Sequence, residues 1–149
     1  VPLKSEVDVS ILIDRALEDS KTVALPDLEA GVFRLAEKDW RERLKVLPNG
    51  TRTPDTPSVL NIRECGANIC QVGPTNGLEK GIILVPGLAF TEFGTRLGRG
   101  AGYYDQLLHL MGNSGSLDFI SIGICRKSQL LDDIQQQPHD AKVRMVITF

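Results

Sequence analysis

The sequence predicts an α/β fold, a three-layer sandwich with a mostly parallel central sheet, as a single domain over residues 1–149. Three observations carry this. Ile82–Val85 and Phe119–Ile124 are largely apolar runs of strand length, and Val143–Ile147 reads as the last strand. Between the first two, Tyr104, Leu107, Leu108 and Met111 recur at i, i+3, i+4 and i+7, the spacing of one helical face. Strands alternating with helices favour a parallel sheet covered by helices. At 149 residues, 42% of them apolar and 24% charged, the chain can bury one core of ordinary size.

In chain order, Val1 to Leu3 suit an extended entry. Ser5 and Asp8 form an S-x-x-D helix start, and Val9, Leu12, Ile13, Ala16 and Leu17 make an apolar stripe that should end near Ser20. Thr22–Leu25 reads as a strand closed by Pro26, and Val32–Leu35 as a second. Glu37 to Lys45, charged around the single Trp40, predicts a short amphipathic helix. Pro48 to Pro74, punctuated by prolines and by the turn signal Asn49-Gly50, is expected to wrap irregularly over the surface. Gly81–Val85 predicts a buried strand. After the Tyr104–Met111 helix come a Gly/Ser turn, the Phe119–Ile124 strand, a short helix over Arg126–Ile134, a loop at Pro138–Asp140 and the last strand.

Composition excludes several functions. A net charge of −2 leaves no broad basic field for nucleic acid or an anionic membrane surface, so any anion site must be local. No apolar stretch approaches the ~20 residues of a membrane span. Cys65, Cys70 and Cys125 are few and odd in number, which suits buried thiols in a reducing compartment. Four ligands at recognisable zinc spacing are missing, and His109 and His139 lie far from the cysteines in sequence.

The chemistry concentrates in Pro86–Asp105, which holds five of the fourteen glycines and both tyrosines. It reads as strand, glycine-rich loop, helix. Gly94, Gly98, Gly100 and Gly102 let backbone N–H groups approach an anion closely, and the helix N-terminus adds unsatisfied donors. Arg96 and Arg99 suit two-pronged binding of phosphate oxygens. Asp105 suits Mg²⁺, which commonly takes one or two carboxylates together with substrate phosphates. Tyr103 and Tyr104 offer flat faces to a heterocycle. Neither the P-loop nor the dinucleotide fingerprint is present. On composition alone a structural loop stands equally beside a phosphate site. Tyr104 sits on the apolar stripe and suits the core, and Asp105 suits a first-turn acid facing the helix dipole.

The run Val85-Pro-Gly-Leu-Ala-Phe90 followed by Gly94-Thr-Arg-Leu-Gly-Arg-Gly-Ala-Gly-Tyr-Tyr-Asp105 closely resembles the hallmark of the 5-formyltetrahydrofolate cyclo-ligase (methenyltetrahydrofolate synthetase) family. Ser5–Asp8, Lys21–Pro26 and Pro138–Asp140 extend the resemblance over most of the chain. It implies an ATP- and Mg²⁺-dependent conversion of 5-formyltetrahydrofolate to 5,10-methenyltetrahydrofolate, with release of ADP and phosphate. By that resemblance Arg96, Leu97, Gly98, Arg99, Gly100, Ala101, Gly102, Tyr103 and Tyr104 surround the ATP phosphates. Arg99 and Tyr103 are expected to act in catalysis. Arg99, Gly100, Ala101, Gly102 and Tyr103 also face the folate, together with Glu6 at its polar pterin edge and Val1 at its apolar wall. Asp105 and Asp140 hold the magnesium. Without the resemblance, Glu6 reads better as a first-turn helix acid and Asp140 as a turn residue.

The resemblance further implies a monomer in a cytoplasmic or organelle interior, with small-molecule substrates and neither nucleic-acid nor membrane partners. Family members carry a basic N-terminal helix and a strand before the position of Val1, which implies either an incomplete product or a shortened relative that binds ATP poorly. Ala101 replaces the lysine or glycine of many relatives. A catalytically degenerate relative that binds folate or nucleotide without turnover is the alternative.

Overall fold

A computed structural model describes residues 7–27, 32–46, 48, 52–56, 59–60, 63–65, 68–70, 80–113 and 118–149. Val1, Ser5, Glu6 and the Asn49–Gly50 turn lie outside these residues. The described residues gather into two units, Asp8–Asn76, and Gly77–Phe149 together with Val7.

In the first unit, helix α1 (Ser10–Glu18) starts where Asp8 Oδ1 accepts the Ser10 amide at 2.9 Å. Hydrogen bonds from the Ser10 side chain and amide hold the Asp8 carboxyl below its ordinary range. The helix stops at Asp19, and Ser20 takes a left-handed φ of 55°. Among the described residues, seven strands follow: β1 (Val23–Asp27), β2 (Val32–Ala36), β3 (Leu44–Val46), β4 (Arg52–Pro54), β5 (Val59–Leu60), β6 (Arg63–Cys65) and β7 (Asn68–Cys70). They pair antiparallel as β1-β2-β5, β3-β4 and β6-β7. β1 runs through Pro26, where the sequence predicts its end. It is an edge strand of its sheet, and an edge tolerates the missing amide.

Ile13, Ala36 and Trp40 form this unit's core, with Val9, Leu17, Val23, Leu25 and Leu44 packed against them. Leu12, part of the expected stripe, is 52% exposed. The helix expected over Glu37–Lys45 is instead a pair of i→i+3 turns, Trp40 N to Glu37 O at 2.9 Å and Glu42 N to Asp39 O at 2.9 Å, running into β3. So short a helix has little stability of its own. Tertiary contacts decide: Trp40 is buried, its indole N–H donates to Asp14 Oδ1 at 2.9 Å, and Arg41 both pairs with Asp14 and lies 5.0 Å over the indole. The proline-punctuated segment is likewise less superficial than expected, for Thr53, Pro54 and Thr56 are buried. Asp27 ties these pieces together. Its carboxylate is fully buried and takes Arg34 Nε at 2.6 Å and Lys45 Nζ at 3.2 Å, while Arg34 Nη1 donates to the Thr56 carbonyl at 2.8 Å.

In the second unit, β8 (Lys80–Val85) leads into a small hairpin of β9 (Ala89–Phe90) and β10 (Arg96–Leu97), then into helix α2 (Tyr103–Asn113), β11 (Asp118–Cys125) and β12 (Met145–Thr148). The sheet order is β12-β11-β8 and both pairings are parallel, which is the α/β arrangement with a parallel sheet that the sequence predicts. Val85, Phe90, Cys125 and Val143 form the core, with Ile83, Tyr104, Leu108, Leu130 and Val146 against it. Alternation along β8 turns Ile82 and Leu84 to the other face, where they are 64% and 36% exposed rather than buried as expected. Met145 and Ile147 of β12 are also exposed. The short helix expected over Arg126–Ile134 reduces to one 3₁₀ turn, Lys127–Gln129. Leu130 is drawn instead into a parallel bridge with Phe90, and the Leu131 amide donates to the Phe90 carbonyl at 2.8 Å. Among the described residues no helix is long and apolar enough to cross a membrane.

Two outcomes test this account. Asp27→Ala leaves Arg34 and Lys45 without their shared counter-charge, and loss of one partner of a buried pair costs about 3–5 kcal/mol. A thermal melt should therefore fall by roughly 10 °C, using about 2–4 °C per kcal/mol at this size. Hydrogen bonds from Arg41 and Trp40 hold the Asp14 carboxyl below its ordinary value of 3.8. A depressed folded-state value means stability that is present above pH 3.8 and lost as pH falls below it. Fluorescence of the single Trp40 should report that acid transition, and Asp14→Asn should remove the part that depends on this carboxyl.

Candidate active site

The glycine-rich stretch begins where β8 ends. Pro86 and Gly87 lead into the β9–β10 hairpin, closed by the Leu88 amide on the Leu97 carbonyl at 2.8 Å. Its turn is held by the Thr91 amide on the Thr95 carbonyl at 2.9 Å and by the Thr95 amide on Thr91 Oγ1 at 3.2 Å. Gln129 Nε2 reaches back from the 3₁₀ turn to the Leu88 carbonyl at 3.2 Å. The hairpin is therefore a fixed support, and it carries Arg96 at the start of β10.

From Gly98 the chain opens into the loop that enters α2. Gly100 and Gly102 adopt φ of 87° and 66°, the left-handed region that favours glycine, and a Cβ at either would meet none of the described residues within 4 Å. Their glycine requirement is therefore conformational, and the described residues leave the space beside the backbone open. Arg99 and Ala101 are exposed, Leu97 is 45% exposed, and Gly98, Tyr103 and Tyr104 are half-buried. The Tyr103 and Tyr104 rings meet edge to face, with centroids 5.3 Å apart. Tyr104 packs against the core, as its place on the apolar stripe predicts.

Asp105, in the first turn of α2, joins three segments. Oδ2 accepts Arg96 Nη2 at 2.8 Å, and Oδ1 accepts the Ala141 amide at 3.1 Å. One turn further, His109 Nε2 donates to the His139 carbonyl at 3.0 Å. Two residues on one helical face thus hold the loop that contains Asp140. That loop is closed on itself by the Gln137 amide on Asp140 Oδ2 at 2.7 Å and the Asp140 amide on the Gln137 carbonyl at 3.0 Å. A cleft of about 370 Å³ continues from Asp140 and Ala141 along α2, over Ile83 and Phe119, past Leu108 and Lys142.

The structure thus brings Arg96 to Asp105 together with the Asp140 loop. Glu6 and Val1 lie outside the described residues. Sequence reasoning passed over the Ala141 amide and weighed His109 only as a distant zinc ligand. Of these only His109 carried a signal, four residues after Asp105 on the same helical face.

Among the described residues no three His, Cys, Asp or Glu side chains cluster as a metal-binding group. The donor set still fits Mg²⁺ of the kind held by one or two carboxylates, water and phosphate oxygens. An ionised carboxylate has about four lone-pair sites, so Asp105 keeps acceptor capacity beyond its two hydrogen bonds. Its side chain remains 14% exposed, and that of Asp140 25% exposed.

A model of the 5-formyltetrahydrofolate cyclo-ligase family matches residues 1–149, across both units. The chain is 43% identical over 70 residues to the 5-formyltetrahydrofolate cyclo-ligase of Mycolicibacterium smegmatis, covering 47% of this chain and 34% of that relative. It is 26% identical over 147 residues to the Mus musculus 5-formyltetrahydrofolate cyclo-ligase, covering 97% of this chain and 68% of the relative. The NMR structure of 5,10-methenyltetrahydrofolate synthetase from Aquifex aeolicus superposes with a TM-score of 0.63 at 24% identity, covering 99% of this chain and 65% of that one, a likeness of fold. The matches over nearly the whole chain span 68% of the mouse protein and 65% of the Aquifex aeolicus one, about two thirds of their length. By the match over its whole length, this chain belongs to the 5-formyltetrahydrofolate cyclo-ligase family.

Proposed function

We propose that the chain acts as a 5-formyltetrahydrofolate cyclo-ligase, converting 5-formyltetrahydrofolate to 5,10-methenyltetrahydrofolate with consumption of ATP, in the presence of Mg²⁺, and release of ADP and phosphate. The observation that carries this reading is the loop Gly98–Gly102. Among the described residues it places left-handed glycines beside open space at the start of α2, with Asp105 in the helix's first turn.

The chemistry asks little covalent work of the protein. The formyl oxygen takes the terminal phosphoryl group of ATP as ADP leaves, the neighbouring side-chain amine nitrogen closes on the activated carbon and gives up its proton, and the carbon–oxygen bond to phosphate breaks. Rate then comes from alignment and from charge placed where negative charge develops. Backbone amides at Gly100 and Gly102, with the orphan donors of the α2 N-terminus, would face the phosphates. Arg99 is exposed at the same loop and would bring a guanidinium to the transferring group. Tyr103, beside it, would border the folate together with Gly100 to Gly102. Bound Mg²⁺ would neutralise phosphate charge, with Asp105 as its ligand and Asp140 assisting. Glu6 and Val1 would complete the folate side of the site.

Incubation of the purified protein with ATP, Mg²⁺ and 5-formyltetrahydrofolate should yield the methenyl product, followed by its near-ultraviolet absorbance. Folate binding without product would favour the catalytically degenerate relative instead. Arg99→Ala should lower turnover by ~10³-fold or more, the scale of a positioned arginine at a phosphoryl group. A rate near that of the unaltered protein would remove Arg99 from the reaction.

A further inference from the structure

The two arginines of the glycine-rich motif sit in opposite surroundings. Arg99 is exposed, whereas the Arg96 side chain is only 6% exposed. We propose that Arg96 is a positioning residue, which orients the Asp105 carboxylate between α2 and the Gln137–Ala141 loop and does not itself bind the substrate's phosphates. The inference rests on Asp105 being a working group of the site proposed above.

Four observations converge on it. First, both terminal nitrogens of Arg96 are engaged within the protein: Nη2 donates to Asp105 Oδ2 at 2.8 Å and Nη1 to the Pro86 carbonyl at 3.3 Å. Second, the guanidinium lies 6.0 Å from the Tyr104 ring centroid, so it is flanked by the first residues of α2. Third, Arg96 Nε is buried with no hydrogen-bond partner among the described residues. A buried donor left unmade is unfavourable, so the guanidinium's orientation is set by its contacts with Asp105 and Pro86 and not by satisfying all of its own donors. Fourth, the motif's glycines make the space. A Cβ at Gly98 would stand 2.7 Å from Arg96 Nη1, while one at Gly87 would meet the Phe90 ring at 2.7 Å before Arg96 Cγ at 3.1 Å. Gly98 therefore accommodates the arginine, Gly87 makes room first for Phe90, and Gly100 and Gly102 shape the open loop.

The carboxylate is held from both sides. Arg96 takes one oxygen and the Ala141 amide takes the other, so the orientation of Asp105 also sets the position of the chain next to Asp140. A lysine at position 96 carries the charge but lacks the fork that spans Asp105 and Pro86 together.

A double-mutant cycle with Asp105→Asn tests this, read both as the Mg²⁺ concentration giving half-maximal turnover and as hydrogen-exchange protection of the Ala141 amide. For a positioning residue, Arg96→Ala raises the Mg²⁺ requirement about tenfold or more while the KM for ATP moves less. Adding it to Asp105→Asn then changes the rate by no more than about twofold, because the two act as one unit. Protection at Ala141 falls in Arg96→Ala and is partly restored in Arg96→Lys, which serves as the folded reference if the alanine variant unfolds. The proposal is overturned if Arg96 variants raise the KM for ATP at unchanged Mg²⁺ dependence with effects that multiply with Asp105→Asn. It is overturned equally if Ala141 protection does not respond to position 96. That exchange measurement needs no turnover, so it stands even if the unaltered protein lacks cyclo-ligase activity.

Discussion

The ion pair between Arg96 and Asp105 is the constraint around which the second unit's functional edge is built. A guanidinium this deeply buried requires a counter-charge, since an unpaired charge in a low-dielectric setting is strongly unfavourable. Satisfying it fixes the β9–β10 hairpin against the first turn of α2. Asp105 then passes the restraint to the loop after Gln137 through its second oxygen. The exposed groups beside it, Arg99 and the Gly100–Gly102 backbone, are presented from a support that does not depend on them. Binding and catalytic groups are best held in this way, on elements whose own geometry is settled elsewhere.

The parallel sheet and α2 were legible in the sequence because each has one dominant periodicity. Tyr104, Leu107, Leu108 and Met111 could form only a helical face, and Phe119–Ile124 only a strand. Trp40 was misread because its surroundings are tertiary: the indole is fastened to Asp14 of α1, which no local pattern announces. Pro26 and Pro54 misled in a similar way, for proline marks a break only where its amide is needed, and one sits on an edge strand while the other is packed inside. At the site, the loop's chemistry was legible from residue types and their order. The contrast between Arg96 and Arg99 was not. Three positions apart in a glycine-rich run, they look alike until the two-residue strands of the hairpin turn one inward.

The two units reach solidity by different means. The second has an apolar core of Val85, Phe90, Cys125 and Val143 under a sheet with a regular parallel register. The first has short antiparallel pairings around Trp40 and relies on charge to join them. Asp27 accepts from residues of β2 and β3, and Arg34 carries the connection on to Thr56. Hydrophobic burial is non-directional and tolerates small shifts, whereas this charged centre holds only while its partners keep their places.

Cys125 closes β11 inside the core of the second unit, fully buried, and burial raises its thiol above the ordinary value. The nucleophile in thiol chemistry is the thiolate, so both its scarcity and its inaccessibility shield this sulfur in the folded protein. Modification by a thiol reagent must wait for the sheet and α2 to part. Cys125 is thus an internal clock: the rate at which it becomes labelled measures how often the support beneath the functional loop comes open.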